Sequence, residues 1–457
     1  MFVARVRGAI ILVAVLAPSL LAAQPAAMSL RQAVDYARTH QPSIAAARAR
    51  VEVARAAADI PRAAFAPRIT AAAEVLVGTS NNTTASYATL GILDPARIGG
   101  TPANAPATWR PEPSTIAGVA VHKELFDFGR LEAQADALDA LARSAEEVAK
   151  VAQLDLDLLV EESFYAVLGA KQVLAASDAA VTRAKTHRDL AQAKVGAQLW
   201  PPIELTRAEA DLARFDVDRV RAAGAVAIAQ AVLAAAIGST AASIDAGADD
   251  VNFGQPPPAI TGAHDAADRA PELRAARAQL AAQQSITRSI RDELKPDLSL
   301  SAELTGRAGG AAVATNPTPA GAGWVPDVPN WDALVVLSWP LYDRTVDARA
   351  RTSQRAETVR AAEIDQVAEQ LRTITERGYV ELDVATAALP ALQRAVDAAQ
   401  ANHAQTEARF AGGLATAVEL SDAEVLLTDA QIQFAIGQFQ ASRARARLGR
   451  VLAESTP

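Results

Sequence analysis

An internal duplication is the feature of this sequence that most constrains its fold. Residues 413–424 read GLATAVELSDAE and residues 198–209 read QLWPPIELTRAE, so Leu, Glu, Leu, Ala and Glu recur at matching positions. Solenoid proteins repeat units of roughly 20–50 residues, whereas these two segments lie in different halves of the chain. The spacing therefore indicates that one large structural unit occurs twice.

Two prolines bound a helical segment in each half of the chain. Pro42 and Pro67 are as far apart as Pro271 and Pro296, and alanine, the best helix former, is abundant in both intervals. Proline cannot continue helical hydrogen bonding, so each helix should end before the second proline. In the first half, the capping box Ser29–Gln32 predicts the start of a continuous helix that ends just before Pro67.

Beyond each second proline, the hydrophobic period changes from helical to two. The segments 68–78 and 296–306 alternate apolar and polar residues, and after a long loop the alternation returns at 115–125 and 331–341. Alternating segments of about ten residues, joined by long loops, are typical of outer-membrane strands. The apolar face contains the residues that we predict to contact lipid: Ile69, Val75, Val119, Leu300, Val335 and Leu337.

Each returning strand leads into a long helix. Asp127 and Asp343 follow the strands, and aspartate is a strong N-cap, so a helix is expected to begin at each. Valine and small residues recur every seven positions in the first long helix, which predicts a close-packed coiled coil. The long helices and the return helices that pair with them are predicted at 130–194, 202–237, 345–410 and 416–450.

The N-terminus has the pattern of a secretory signal. Arg5 and Arg7 precede an apolar run that is shorter than the ~20 residues of a membrane-spanning helix, and small residues follow at 21–23. We predict a signal peptide over 1–23. The chain has no cysteine, which excludes disulfides and thiolate metal sites, and its net charge of −8 argues against nucleic acid as a partner.

The sequence contains no recognisable enzyme, metal or cofactor site. The five histidines lie far apart, without the spacing of metal ligands, and the predicted mature chain has a single methionine, Met28. His403 and Glu407, one helical turn apart, are interpreted as part of a solvated helix face. No glycine-rich phosphate loop follows a strand. We therefore predict a protein without catalytic activity that depends on a partner for energy.

Taken together, this layout resembles the TolC family of outer-membrane efflux ducts over the whole predicted mature chain. The resemblance rests on the duplicated proline-bounded helices, the strand-to-helix junctions LFDFGR and PLYD, and the turn GLATAVEL. It implies a mainly helical homotrimer in which twelve strands close a transmembrane β-barrel and the helices form a periplasmic α-barrel. It also implies a first structural repeat at 24–240, an equatorial linker at 241–262 and a second repeat at 263–457.

The resemblance implies a function as well. A duct of this family passes substrates from an inner-membrane pump of RND, ABC or MFS type, through a periplasmic adaptor protein, to the exterior. Drug efflux, metal efflux and protein secretion all remain open. The alternative from the residues alone is an exported coiled-coil structural protein with two hairpins and no channel.

Two sites follow from the same resemblance. The turns at the ends of the long helices are expected to dock the adaptor through Gly196, Leu199, Pro201, Gly413, Leu414 and Thr416. Glu419 and Asp422 lie three residues apart on one helical face and match the acidic positions that ring the periplasmic entrance in the family. The family pattern has an arginine where this chain has Ala415, and Arg409 or Arg207 are candidates for its role.

Overall fold

The computed structural model describes residues 27–79, 109, 111–247, 265, 269–309, 324–326 and 328–452. These residues form two copies of one unit, with two strands and a long helical hairpin in each. The first copy contains α1 Leu30–His40, α2 Pro42–Ala63, β1 Arg68–Thr79, β2 Pro111–Phe126, α3 Arg130–Gly196 and α4 Pro202–Ala236. The second contains α5 Pro271–Asp292, β3 Asp297–Gly309, β4 Val328–Ser338, α6 Arg344–Ala411 and α7 Ala417–Val451. The predicted signal peptide and most of the predicted linker lie outside the described residues, and their boundaries stay predictions.

The helix predicted to run unbroken from Ser29 to Pro67 is two helices. The capping box at Ser29 is present, but α1 ends at His40, and Gln41 is extended with φ −73° and ψ 121°. Proline disfavours the helical conformation of the preceding residue, so the break falls before Pro42. The Gln41 side chain then donates a hydrogen bond of 2.8 Å to the carbonyl of Ala236. This hydrogen bond therefore links the residue between α1 and α2 to the end of α4.

The four strands form one antiparallel sheet in the order β1-β2-β3-β4. Several strand boundaries differ from the prediction. β3 continues to Gly309 and β4 begins at Val328, three residues beyond the predicted segments in each case. β2 begins earlier, at Pro111, because its pairing with β1 continues to Thr79. β4 ends at Ser338, so Trp339, which the alternation placed in the strand, lies beyond it.

The two long helices are nearly equal in length, with 67 residues in α3 and 68 in α6. At 1.5 Å per residue each is about 100 Å long. α4 packs on α3 and α7 packs on α6, while α2 and α5 pack on the halves nearer the sheet. The heptad rows predicted in α3 are confirmed as buried at Val160, Val167, Val181, Ser163, Ser177, Ala184 and Ala191.

An aspartate accepts backbone hydrogen bonds at the start of both long helices, but only one of the two is the N-cap. Asp343 is the N-cap of α6, as predicted, and its carboxylate accepts a hydrogen bond from the Thr345 amide. α3 begins at Arg130, as predicted, but the prediction that Asp127 is its N-cap is wrong. Gly129 is the N-cap, with φ 97°, and Asp127 accepts hydrogen bonds from the amides of Gly129 and Leu131. The left-handed residue allows the chain to turn between Asp127 and the helix.

Ion pairs attach the short helices to α3. The most buried joins Arg38 to Asp157 through two hydrogen bonds, of 3.0 Å and 2.7 Å. Four further pairs, which are more exposed to solvent, lie nearer the sheet: Arg55–Glu146, Arg62–Asp139, Arg274–Glu147 and Arg288–Asp136. Water screens the exposed pairs, so Arg38–Asp157 is the pair that contributes most to the position of α1 along α3.

The start of the predicted linker packs against the middle of α3. Asp245 accepts hydrogen bonds from Lys171, at 2.7 Å, and from Gln230, at 2.9 Å, and Ala246 pairs with Met28 in a parallel bridge. Among the described helices, α4 alone is long and apolar enough by length and composition to cross a membrane. It packs along the half of α3 that lies away from the sheet, as one helix of a coiled coil.

Candidate functional site

One face of the sheet is built from exposed apolar side chains. Ile69 pairs with Val121, Val119 pairs with Leu304, and Leu300 pairs with Val335. Directly paired residues share a face and alternate residues return to it. The register therefore places all six residues predicted to contact lipid on the same face. Leu304 and Trp331 extend that face, and both are exposed.

The opposite face of the sheet is polar. It contains His122, Glu124, Ser301, Glu303 and Asp332, and His122 Nδ1 lies 3.0 Å from Ser301 Oγ. An apolar band on one face with polar side chains on the other is the pattern of a membrane barrel strand, lipid outside and water inside. A soluble monomer rarely exposes such a continuous apolar surface.

Aromatic side chains flank the apolar band at both ends. Trp109, Trp324 and Trp331 are exposed at the loop end, and Phe126, Trp339 and Tyr342 are exposed at the end that joins the helices. Amphipathic aromatic rings favour the boundary between bilayer and water, where they form girdles. The sequence analysis did not assign Trp109, Phe126 or Tyr342 to the site. Their clustering at strand ends, in a chain with only 4% aromatic residues, is the signal that could have identified them.

The two turns at the far ends of the coiled coils share one backbone geometry. The Leu199 amide bonds to the Lys194 carbonyl at 2.9 Å, and the Leu414 amide bonds to the Arg409 carbonyl at 2.8 Å. This Schellman closure requires a left-handed residue just before each leucine, and Gly413, with φ 72°, supplies one without strain. Gln198, with φ 60°, adopts the same conformation in the first turn.

Both turns present exposed groups at the tips of the molecule. Leu199 is 66% exposed and Leu414 is 74% exposed, and Gly196, Pro201 and Gly413 are exposed beside them. Thr416, also predicted to dock the adaptor, is the N-cap of α7. The structure thus brings the six predicted docking residues to the two tips, and the docking itself stays a prediction.

Glu419 and Asp422 are exposed on the first turns of α7. Glu419 also has a local task, because its Oε2 accepts a hydrogen bond of 2.7 Å from the Thr416 amide and completes a capping box. That backbone hydrogen bond lowers the pKa of Glu419 from its ordinary value. The ionised form is therefore favoured at this position, as an acidic ring requires, and the ring stays a prediction.

The arginines proposed to replace the family's arginine at Ala415 are both engaged locally. Arg409 donates a hydrogen bond of 3.1 Å from Nη2 to the Leu414 carbonyl, and Arg207 forms an ion pair of 3.7 Å with Glu204. Each side chain therefore supports its own turn.

Behind the tips, an aromatic contact joins the two repeats. Trp200 of the first turn packs against Phe410 of α6, with ring centroids 5.1 Å apart, and His187 of α3 meets Phe410 edge-on at 5.2 Å. Ala417 and Leu420 complete the cluster. The sequence analysis did not include Trp200 among the site residues. Within the described residues, no group of three or more histidines and carboxylates could hold a metal ion.

Comparison with known proteins places this geometry in context. A sequence profile described as "Outer membrane efflux protein" matches residues 17–239 and 262–454. Three solved structures are similar to the chain in fold. The outer-membrane channel OprN is 21% identical, with a TM-score of 0.72, over 93% of this chain and 90% of that one. VceC from Vibrio cholerae is 17% identical, with a TM-score of 0.72, over 93% and 95%. The open state of MtrE from Neisseria gonorrhoeae is 18% identical, with a TM-score of 0.71, over 93% and 88%. No curated protein matched the sequence.

Proposed function

The chain belongs to the outer membrane efflux protein family, and we propose that three copies of it form one continuous channel from the periplasm to the cell exterior. Family membership makes the chain an outer-membrane efflux channel that extends into the periplasm and acts as the exit duct of a tripartite system. The alternative of an exported structural protein without a channel does not account for a family match that covers both repeats.

The observation that carries the proposal is the open sheet. Within the described residues, the four-stranded sheet has two edge strands without a partner, β1 and β4, beside a continuous apolar face. Unpaired backbone groups are too costly in lipid, so strands cross a bilayer only in a closed barrel. Three copies of this four-stranded sheet supply the twelve strands of such a barrel.

The long helices support the same assembly. Exposed apolar side chains recur on α4, at Val217, Val220, Ile228 and Val232, and on α6, at Val359, Ile374, Val380 and Val384. A neighbouring copy that covers these faces would remove them from water. The helices of three copies would then continue the barrel as a periplasmic tube about 100 Å long.

The tips are the parts of this tube that face the inner membrane. A channel supplies no energy, so we propose that the turns around Leu199 and Leu414 receive the helical hairpin of a periplasmic adaptor. That adaptor would connect the duct to an inner-membrane pump of RND, ABC or MFS type. The exposure of both leucines supports this assignment.

Expression in a Gram-negative host that lacks its own duct tests the assembly. We expect the protein in the outer-membrane fraction, as an oligomer that dissociates to the single chain when the sample is heated. The purified oligomer should produce single-channel conductance in planar bilayers. A protein recovered only from the soluble periplasmic fraction, with no conductance, would contradict the proposal.

A further inference from the structure

We propose that Glu424, His403 and His187, together with Arg183, form a proton-balanced latch that keeps α7 packed on α3 behind the channel entrance. When the coiled coils separate, a proton moves from the Glu424 carboxyl group to an imidazole of the latch. Little net uptake of protons from water is therefore needed. The contacts lie within one chain, so the latch goes beyond the assembly and partners proposed above.

The latch is built from three helices. Glu424 of α7 is only 4% exposed, and its Oε1 lies 3.8 Å from Nε2 of His403 on α6. Arg183 of α3 donates a hydrogen bond of 3.1 Å from Nη2 to Thr428 Oγ1, one turn beyond Glu424 on α7. His187 lies one turn beyond Arg183 on α3, is buried, and meets Phe410 behind the tips. The interpretation of His403 as part of a solvated face is therefore wrong.

The joint is the place where the latch residues of α3, α6 and α7 meet. Several buried polar atoms at the joint have no hydrogen-bond partner in the described part of the chain. They are Arg183 Nε, His187 Nε2 and His403 Nε2. A buried donor or acceptor without a partner costs ~1–3 kcal/mol. The packing of the joint therefore depends on which of its side chains are protonated, because a charge added at these atoms gains no compensating hydrogen bond.

Other charged groups face the joint from every helix packed against it. α4 contributes Asp211 and Arg214, which act on Glu424, and Glu204, which acts on His187. α6 contributes Glu407, whose Oε2 lies 3.9 Å from His403 Nδ1. Glu407 is exposed, so water screens its effect.

Burial shifts the carboxyl and imidazole groups in opposite directions. Burial raises the pKa of Glu424 to about 7, against the opposing effect of Arg183. Burial lowers the pKa of His187, and burial together with the charge of Arg183 lowers the pKa of His403. Both shifts follow from the cost of placing a charge in an apolar interior.

The two shifts have opposite consequences for packing. A raised carboxyl pKa means that the packed joint binds the Glu424 proton more tightly than the separated form, so this stabilisation is lost as pH rises through about 7. A lowered imidazole pKa stabilises the packed joint above the ordinary value of about 6.5, and this stabilisation is lost as pH falls below it. In the native chain the two effects oppose each other, so a change of pH should alter the packing of the joint less than either effect alone would.

Substitutions that remove either the effect of the Glu424 carboxyl group or the effect of the two histidines test the latch. The chain has no cysteine, so spin labels can be attached at single cysteines that replace Leu199 and Leu414. Labelled chains diluted into unlabelled oligomers would give the tip-to-tip distance within one chain by pulsed electron paramagnetic resonance. We expect the native distance distribution to change little between pH 5 and pH 8.

Two variants should respond to pH in opposite directions. In Glu424→Gln only the histidine effect remains, so the separated population should increase as pH falls from 7 to 5. In the double variant His187→Gln with His403→Gln only the carboxyl effect remains, so separation should increase as pH rises from 5 to 8. Each pKa unit of difference changes the opening equilibrium by about tenfold.

The matched control is Glu407→Gln, which removes an exposed carboxylate beside His403 and should leave the native profile nearly unchanged. Opposite pH responses of the two latch variants would support the proposal. Responses of the same sign, or profiles identical to that of the native protein, would overturn it. Channel conductance does not enter this measurement, so its result is independent of the duct function.

Discussion

Trp200, in the turn of the first coiled coil, packs against Phe410 at the end of α6 with ring centroids 5.1 Å apart. The two repeats are thus joined at the tips by apolar contact as well as along α3 and α7. Phe410 is buried, whereas the neighbouring Leu414 of the same turn is exposed. The packing role of Phe410 and the docking role proposed for Leu414 therefore fall on different residues of one short segment.

Replacing Trp200 by alanine should loosen the two tips. Truncation of a large aromatic that packs in a cluster costs ~3–5 kcal/mol when the site is fully buried, and Trp200 is partly buried, so we expect a smaller loss confined to this end. Amide hydrogen exchange should become faster in the first turns of α7. Leu199→Ala, which removes an exposed side chain from the same turn, is the control and should leave exchange unchanged.

The sheet register predicts opposite outcomes for two adjacent valines. Val335 lies on the apolar face with Leu300, whereas Val336 lies on the polar face. An arginine on the lipid face at the bilayer midplane of a barrel costs ~2–4 kcal/mol. Val335→Arg should therefore reduce the heat-sensitive oligomer in the outer membrane much more than Val336→Arg. Equal assembly of the two variants would contradict the assigned face.

Local signals in the sequence predicted most of the fold. Prolines end helices and asparagine-, glycine- and threonine-rich loops separate strands by steric rules that act within a few residues. Helix boundaries in the coiled coils consequently agree within two residues, as at α3, predicted to end at 194 and observed to end at Gly196. The break at Gln41 could also have been predicted, because Pro42 restricts the residue before it.

Contacts between helices could not be predicted in the same way. Glu424 lies in a run of helix formers that contains other acids, and no local pattern distinguishes it from an exposed carboxylate. Its burial depends on how α7 is rotated against α3 and α6, which is set by packing along the whole coiled coil. The Trp200–Phe410 contact likewise joins residues from separate repeats, so periodicity within either repeat gives no information about it.

Charged substitutions at the tips should block transport without affecting assembly. Leu414→Arg adds bulk and charge to a side chain that is 74% exposed and makes no packing contact in the cluster behind the turn. We expect export of a pump substrate to be lost while heat-sensitive oligomers and single-channel conductance persist. Gly413 is a less suitable site, because its φ of 72° means that any side chain would also strain the turn. Transport that survives Leu199→Arg together with Leu414→Arg would show that the adaptor binds elsewhere.

The ion pair between Arg38 and Asp157 should contribute more to stability than the exposed pairs beside it. Asp157 is buried and accepts two hydrogen bonds from the guanidinium group, and hydrogen bonds to charged groups contribute ~1.5–3 kcal/mol. Arg38→Ala should therefore lower the thermal unfolding midpoint of the purified protein clearly. Arg55→Ala, which removes an exposed pair with Glu146, is the control and should lower the midpoint much less, because water screens exposed ion pairs. Similar midpoints for the two variants would rule out a special role for the buried pair.

The acidic residues of α7 should set the ion selectivity of the entrance. If three copies surround one opening, Glu419 and Asp422 place carboxylates of one sign around it, which concentrates cations and repels anions. Because Glu419 also caps α7 through Thr416, alanine would damage the helix start as well as remove the charge. Glutamine preserves the capping box, so Glu419→Gln with Asp422→Asn separates the two roles.

This double variant should lose cation preference and block by trivalent cations in planar bilayers, while the oligomer remains as heat-stable as the native one. The difference from the native channel should shrink at high salt, since the Debye length falls from ~8 Å at physiological ionic strength to ~3 Å at 1 M. Glu209→Gln, which removes an exposed carboxylate from α4 of the first coiled coil, is the control and should leave block unchanged. Cation preference and trivalent block that persist in the double variant would place the selective constriction elsewhere along the channel.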